Sequence, residues 1–592
     1  MKKITLKSLL IPFFALFFYT SIAQELMYEV SLSQQVQSST QIIEGKVISK
    51  KSFWDNNRSN IYTINTVEVF KVFKGQALST IEIVTRGGAV GLEAEIVSPS
   101  LQLEINDIGI FTLENNNNNL PNNSNARFKP YSEAQGFYKY NTYTNVAVNP
   151  FKIKNGIAHF YNEIETLTNR SYTTVNTFDI EQIITTSNTN RNVAAINNFT
   201  PTNATAGTKT VLTINGSGFG ATKQNVGFAN ANDGGSTYTL ALATQILTWN
   251  DTQITVEIPS QAGTGTIAII NSAATAIIFS SAGTLNINYS EINAVSDAVS
   301  AGTNVAYPTQ HINRNGNGGY IWQMHTDFNN NAAANASFMR AFDTWRCETD
   351  IYWEIGAVTA IDVVANDDVN IIRFDNGAEL SAGVLGVCTS RFSGCFTNGN
   401  TSIDWFVEEL DIVFDDTTNW QFGPANANGA QIDFETVAVH ELGHGHQLGH
   451  VIDSNKIMHY AIGGGTNNRV LNASDIAAGN DVQSRSTTLA PCGTTSMSNF
   501  DCSILSVDDM TLENNILIYP NPAQQILNIK NNTYAIIDSA TIYDVRGRLI
   551  STTQINDSRV TKSINVSNLQ SGLYFVKLNI NDTSITKKFV VE

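Results

Sequence analysis

Eleven residues, HELGHGHQLGH at positions 440 to 450, carry the most readable chemistry in this chain. His440 and His444 are one helical turn apart, about 40° around an axis that advances about 100° per residue, so both imidazoles reach one metal ion from the same face. Glu441, beside the first ligand, stands where a carboxylate can take a proton from a water molecule at that ion. On an unbroken helix His446 lies about 240° and His450 about 280° from His440, and neither joins the pair. A turn after His444 changes this. Gly445 and Gly449 bend easily, and a bend there returns His450, not the nearer His446, to the metal. Three neutral imidazoles leave a fourth position open, the arrangement of a catalytic rather than a structural zinc site. A downstream carboxylate, Asp453 or Asp475, is the competing third ligand.

The elements that must hold these residues can be read nearby. FETVAVHELGHGH (434–446) has the pattern of a largely buried helix, and NASFMRAFDTWRC (335–347) that of an amphipathic one. VNIIRF (369–374), LGVCTSRF (385–392) and LDIVFDD (410–416) read as strands. LNASDIAAGNDV (471–482) reads as a closing helix, with Asn472 and Asp475 at capping-box spacing. Asp415 and Asp416 end a strand and could contribute to a Ca²⁺ site, although two carboxylates do not make the oxygen cage that calcium needs. A solvated loop is the plainer reading of that pair.

The eleven-residue motif resembles the metzincin zinc-protease signature, His-Glu-x-x-His-x-x-Gly-x-x-His, and Met458 with Tyr460 in KIMHY resembles the Met-turn that follows it. The resemblance implies a secreted zinc endopeptidase of α+β fold over about 305–486. Its metal ligands are His440, His444 and His450, its general base is Glu441, and Met458 is a support beneath the site. By the same resemblance Tyr460 can lie near the zinc and stabilise an oxyanion. LGVCTSRF would be the edge strand that receives an extended peptide substrate. The chain departs from the pattern at Gln447, where the family has glycine. A left-handed turn at a non-glycine residue costs about 1–2 kcal/mol, so either Gln447 accepts that cost or the bend moves to a neighbouring glycine.

The remaining sequence bounds the setting. With 592 residues the chain is too long for one core, and several domains are expected. Lys2, Lys3 and Lys7 precede an apolar run from Leu9 to Tyr19 and Ser21-Ile22-Ala23, the pattern of a signal peptide over 1–23. No later segment approaches transmembrane length. The excess of 52 acidic over 35 basic residues, a net charge of −17, argues against nucleic acid or an anionic membrane as partner. Solubility is the plainer reading of that charge, and a protein or peptide substrate is what the metzincin resemblance implies. Export permits disulfides, and the close pairs Cys388 with Cys395 and Cys492 with Cys502 are the natural candidates, which leaves Cys347 free.

Residues 24 to 191 alternate in short runs, QIIEGKVIS, TINTVEVFKVF and STIEIVT among them, and read as an all-β domain, a propeptide or an accessory module. No cysteine precedes Cys347, which argues against a thiol-based latency switch. INNFTPTNATAGTKTVLTINGSGFG with WNDTQITVEIPSQAGTGTIAII, within 195–289, resembles the IPT/TIG immunoglobulin-like β-sandwich, and no catalysis is expected from it. Gly216, Gly218 and Gly220 there read as turn glycines, because a strand and not a helix follows them. Residues 487–514 are linker-like. Residues 515–592 read as a small β-sandwich and resemble the C-terminal sorting domain of the Bacteroidetes type IX secretion system, through Tyr519-Pro520-Asn521-Pro522, Asp544-Val545-Arg546-Gly547-Arg548 and Gly572-Leu573-Tyr574. That implies export through the type IX machinery to the medium or the outer-membrane surface. The competing function is a surface adhesin or glycan-binding protein whose zinc domain is secondary or inactive.

Overall fold

The computed structural model describes residues 27–592 apart from 117–119, 121–125, 190–194, 273–276, 378, 503–511, 513–514, 532–536, 558–560 and 581–582. The expected signal peptide, much of the Asn-rich stretch, most of the second half of the expected linker and the turn near Asn581 lie outside the described residues. Four bodies follow one another, all of them rich in strands, with the longest helices gathered in the third.

The N-terminal body is a β-sheet built on long strands Gln41–Trp54 and Ile61–Lys74. In the second of these, buried and half-buried residues alternate as far as Val69, as a strand with one face on a core requires. Val67, Val69, Ile81, Ile83, Phe111 and Leu113 fill that core. A hairpin projects from this body: β1 (Gly88–Val90) and β2 (Glu93–Ser98), paired antiparallel. The immunoglobulin-like body packs two four-stranded sheets around Leu212, Ile214, Val226, Phe228, Ile254 and Ile267. Gly218 and Gly220 have positive φ in the turn before the strand Asn225–Asn230, so they serve the chain reversal. Its last strand, β3 (Asn286–Glu291), runs on toward the third body.

That third body is an α+β domain. Strands β4 (Tyr320–Met324), β5 (Trp353–Ile355), β6 (Asn370–Phe374), β7 (Gly386–Thr397) and β8 (Ser402–Phe414) lie in the order β5-β4-β6-β8-β7. The first four in that order are parallel to one another, and β7 runs antiparallel to β8 at their end. Helix α1 (Ala332–Thr349) joins β4 to β5, and α2 (Phe434–Gly445) follows β8. Trp322, Trp345, Trp353, Phe338, Phe342, Val437 and Leu442 lock the helices to the sheet. After a two-residue strand β9 (Leu448–Gly449) the domain closes with α3 (Ala473–Thr488). Asn472 caps α3, accepting from the Ser474 and Asp475 N–H groups, while Asp475 accepts from the Asn472 N–H.

Edge strand β7 is already paired. Over Cys388↔Ser98 to Ser393↔Glu93, β2 of the N-terminal body continues the sheet in antiparallel register. Met27, Val97 and Phe151 from that body meet Leu380, Val384, Val387 and Val413 in a small buried cluster.

The disulfides correct the expected pairing. Cys347 joins Cys502 and Cys395 joins Cys492, with Cα atoms 5.5 Å apart in each case, and Cys388 is the buried free thiol. Cys388 and Cys395 share strand β7, where seven residues at about 3.3 Å each hold them far beyond the roughly 7 Å limit for a bridge. The two bridges also tie residues 489–502, read from sequence as linker, onto the third body, where Met497 is buried. The C-terminal body places a three-stranded sheet against a four-stranded one around Leu527, Ile529, Ala540, Ile542, Val576 and Leu578. Its RGR turn has Gly547 at φ 76°, and the Asp544 carboxylate accepts from the Arg546 and Arg548 N–H groups.

Candidate metal centre

Helix α2 begins where Asp433 accepts from the Thr436 N–H, at 2.8 Å, and Arg469 pairs with the same carboxylate. The Trp345 indole donates to the Val439 carbonyl at 2.6 Å, so α1 braces the helix just before its first histidine. Every residue of α2 is buried. His440 and His444 face one side with Nε2 atoms 2.9 Å apart. The helix stops at Gly445, the chain turns through Gln447 with φ 71°, and β9 carries His450 back, its Nε2 3.1 Å from that of His444. Gly445 and Gly449 are not among the positive-φ residues. Gln447 therefore takes the left-handed turn itself, and its side chain compensates: Oε1 accepts from the Thr309 hydroxyl at 3.0 Å and Nε2 donates to the Gly445 carbonyl at 3.2 Å.

Each imidazole is held from behind. His440 Nδ1 lies 2.8 Å from the Ile457 carbonyl, His444 Nδ1 2.9 Å from the Leu448 carbonyl, and His450 Nδ1 2.8 Å from Asn232 Oδ1 of the immunoglobulin-like body. Three acceptors on Nδ1 put the proton there and leave three Nε2 lone pairs aimed at one point. Burial, followed by the neighbouring histidines, keeps His440 and His450 well below the usual imidazole pKa, and burial lowers His444 to about 4. Converging bare lone pairs repel unless a cation lies between them. Nitrogens bound tetrahedrally to zinc at 2.0–2.1 Å are about 3.3 Å apart, close to the spacing here, so the donor set fits the metal.

Glu441, next to His440 on the same helix, is fully buried, and neither carboxylate oxygen has a well-formed hydrogen bond among the described residues. Burial holds its pKa well above the ordinary carboxylate value, with the Cys388 N–H pulling weakly the other way. Gly386 makes room for it: a Cβ there would stand 3.0 Å from Glu441. Met458 lies directly under the helix, its Sδ filling the space that a side chain at Gly443 would need. Tyr460 turns its hydroxyl into the space above Gly234 of the immunoglobulin-like body.

Other expectations come out differently. His446, which helical geometry turns away from the metal, is wholly buried, with Nε2 2.9 Å from the Thr349 hydroxyl and Trp345, Trp353 and His311 around its ring. Asp475 is engaged in the α3 cap, and Asp453 accepts from the Asn455 N–H. Asp415 and Asp416 are joined by Asp375, with one oxygen of each within 4.8 Å of the others. Asp375 accepts from the Leu380 and Asp416 N–H groups, and Asp415 from the Thr417 and Thr418 hydroxyls, so the cluster is engaged within the protein and gives calcium no support.

Sequence reasoning missed two residues at the site. Ser98 of β2 brings its Oγ to 2.9 Å from His444 Nε2, and Asn232 holds His450. Both come from domains more than 200 residues upstream, with no local pattern to mark them.

Three family models match parts of the chain. Residues 319–482 match the family model for Matrixin, residues 194–289 the IPT/TIG domain, and residues 517–592 the secretion system C-terminal sorting domain. None of the curated proteins compared with the chain matches it. Among the described residues no helix is long and apolar enough to cross a membrane. The chain thus joins a metallopeptidase domain of the matrixin type, within the metzincins, to an IPT/TIG domain and a type IX sorting domain that directs it to the cell surface or beyond.

Proposed function

We propose that this protein is a secreted zinc endopeptidase held latent by its own N-terminal strand. The observation that carries the peptidase reading is the convergence of His440, His444 and His450 Nε2 on the helix that also bears the buried Glu441 carboxylate. Zinc, when bound, polarises a carbonyl and brings the pKa of water toward about 7. The three imidazoles hold it, each fixed by its Nδ1 acceptor. Glu441 takes the proton of the attacking water on a carboxylate oxygen and passes it to the amine that leaves. A cation held by the three imidazoles would favour the ionised, accepting form of Glu441, which burial alone disfavours. Met458 supports the helix from below, and Tyr460 packs against Gly234. The backbone of β7 offers its hydrogen bonds to an extended substrate.

Strand β2 uses that same backbone and carries Ser98 to His444, so a substrate and β2 compete for one edge. This supports reading residues 24–191 as a propeptide that acts by strand addition, without a cysteine. Gln447, the one departure from the metzincin pattern, has the left-handed turn that precedes His450, which favours the peptidase over a surface adhesin with an inactive zinc domain.

The test measures zinc content and casein cleavage for the full chain, for Glu441→Gln, and for Val97→Asp, which puts a charge into the cluster that docks β2. All three should hold one zinc, and Val97→Asp should cleave far faster than wild type. Glu441→Gln should not cleave. Zinc in every form with no cleavage by Val97→Asp would remove the peptidase reading; equal cleavage by wild type and Val97→Asp would remove latency alone.

A further inference from the structure

No catalysis is expected from the IPT/TIG domain on sequence, yet it reaches the metal centre. Of the three acceptors that orient the imidazoles, Ile457 and Leu448 carbonyls belong to the peptidase domain itself, 17 and 4 residues from the histidines they hold. The third, Asn232 Oδ1, comes from 218 residues upstream. Asn232 lies in the 3₁₀ turn Ala231–Asp233, where its own N–H donates to Asn230 Oδ1 at 3.0 Å. Asp233 is buried in that turn and accepts from the Thr237 N–H at 3.2 Å. The turn is therefore pinned on both sides of Asn232.

The segment that carries the third ligand is bounded by the same domain. β9 pairs with β3 through Ser290↔Gly449 and Glu291↔Leu448, and the Ile292 N–H donates to the Gln447 carbonyl at 2.8 Å. Beyond His450, Ile452 packs where a side chain at Gly263 would stand, and the Tyr460 hydroxyl does so at Gly234. Two glycines in the immunoglobulin-like body thus give way to two side chains from the loop that follows the metal motif.

We infer that Asn232 is a positioning residue of the metal centre, and that the IPT/TIG domain is part of the functional peptidase. This rests on the zinc reading above. An acceptor on Nδ1 fixes the tautomer and ring orientation of a ligating histidine and raises its basicity, and loss of such a partner costs about 10–100-fold in metal affinity. His440 and His444 keep their partners in the peptidase domain alone. His450 does not.

The experiment is a chelator competition that reads the zinc Kd of the full chain for wild type, Asn232→Ala and Asn232→Asp, with thermal unfolding of each metal-free protein alongside. Asn232→Ala should bind zinc about 10–100-fold more weakly at unchanged metal-free stability. Asn232→Asp keeps an acceptor oxygen and should stay within about threefold of wild type, a rescue that a packing role would not give. A Kd for Asn232→Ala within twofold of wild type would overturn the inference, as would equal losses in both variants. A wild type that takes up no zinc would overturn the zinc reading itself, a different result from either.

Discussion

Latency by strand addition can be titrated with one methyl-scale substitution. Val97 on β2 is 2% exposed and packs with Met27, Phe151, Leu380, Val384, Val387 and Val413 at the seam between the N-terminal and peptidase bodies. It lies outside both hydrophobic cores of the N-terminal sheet, so shortening it weakens docking without opening that sheet. Val97→Ala removes two methyl groups, about 0.8 kcal/mol each in transfer free energy, and the cavity term brings the loss to about 2 kcal/mol. At about 1.4 kcal/mol per tenfold, the open fraction of the β7 edge rises about 30-fold. Provided the strand opens and closes faster than it is cleaved, hydrolysis of a quenched fluorescent peptide by the intact, zinc-loaded chain should rise by the same factor. Adding Glu441→Gln should abolish the gain, which ties it to this site. A rate within twofold of wild type, in a variant whose mass shows an uncut chain, would refute the strand-competition argument.

The docked strand should also respond to pH. The Glu95 carboxylate on β2 is raised above its ordinary value by burial, against the opposing pull of Arg391 on β7 and Arg86, with Glu409 and Asp411 of β8 and Tyr62 facing the same cluster. A carboxylate whose pKa is higher when docked takes up a proton on docking, so docking is favoured at low pH and weakens as pH climbs from the ordinary carboxylate range through the raised value. Protection of the β2 amides from hydrogen exchange, corrected for intrinsic rates, should fall over that window, and Glu95→Gln should flatten the profile; protection that grows with pH would contradict it. Mass mapping should join Cys347 to Cys502 and Cys395 to Cys492, and Cys388, whose thiol burial pushes well above its usual pKa, should react with a thiol reagent only after denaturation. At the turn, Gln447→Gly loses the side-chain hydrogen bonds but relieves the left-handed backbone, whereas Gln447→Ala loses the bonds and keeps the cost; urea unfolding should find the glycine variant more stable by about 1 kcal/mol, and the reverse order would contradict the assignment.

What local sequence could decide was the metal motif and the elements that bear it. His440, Glu441 and His444 sit on one helical turn, so their relation is a matter of pitch, and the strands and helices of the peptidase domain announce themselves through their hydrophobic period. The return of His450 was open in the sequence because two glycines and one glutamine could each make the bend; Thr309, 138 residues away, supplies the hydrogen bond that lets Gln447 make it. The cysteine pairing failed for a related reason, since closeness along a strand is distance in space. Ser98 against His444, β2 on the β7 edge and Asn232 behind His450 are contacts between domains. They depend on which surfaces the folded bodies present to one another, and no period or spacing within 592 residues encodes that.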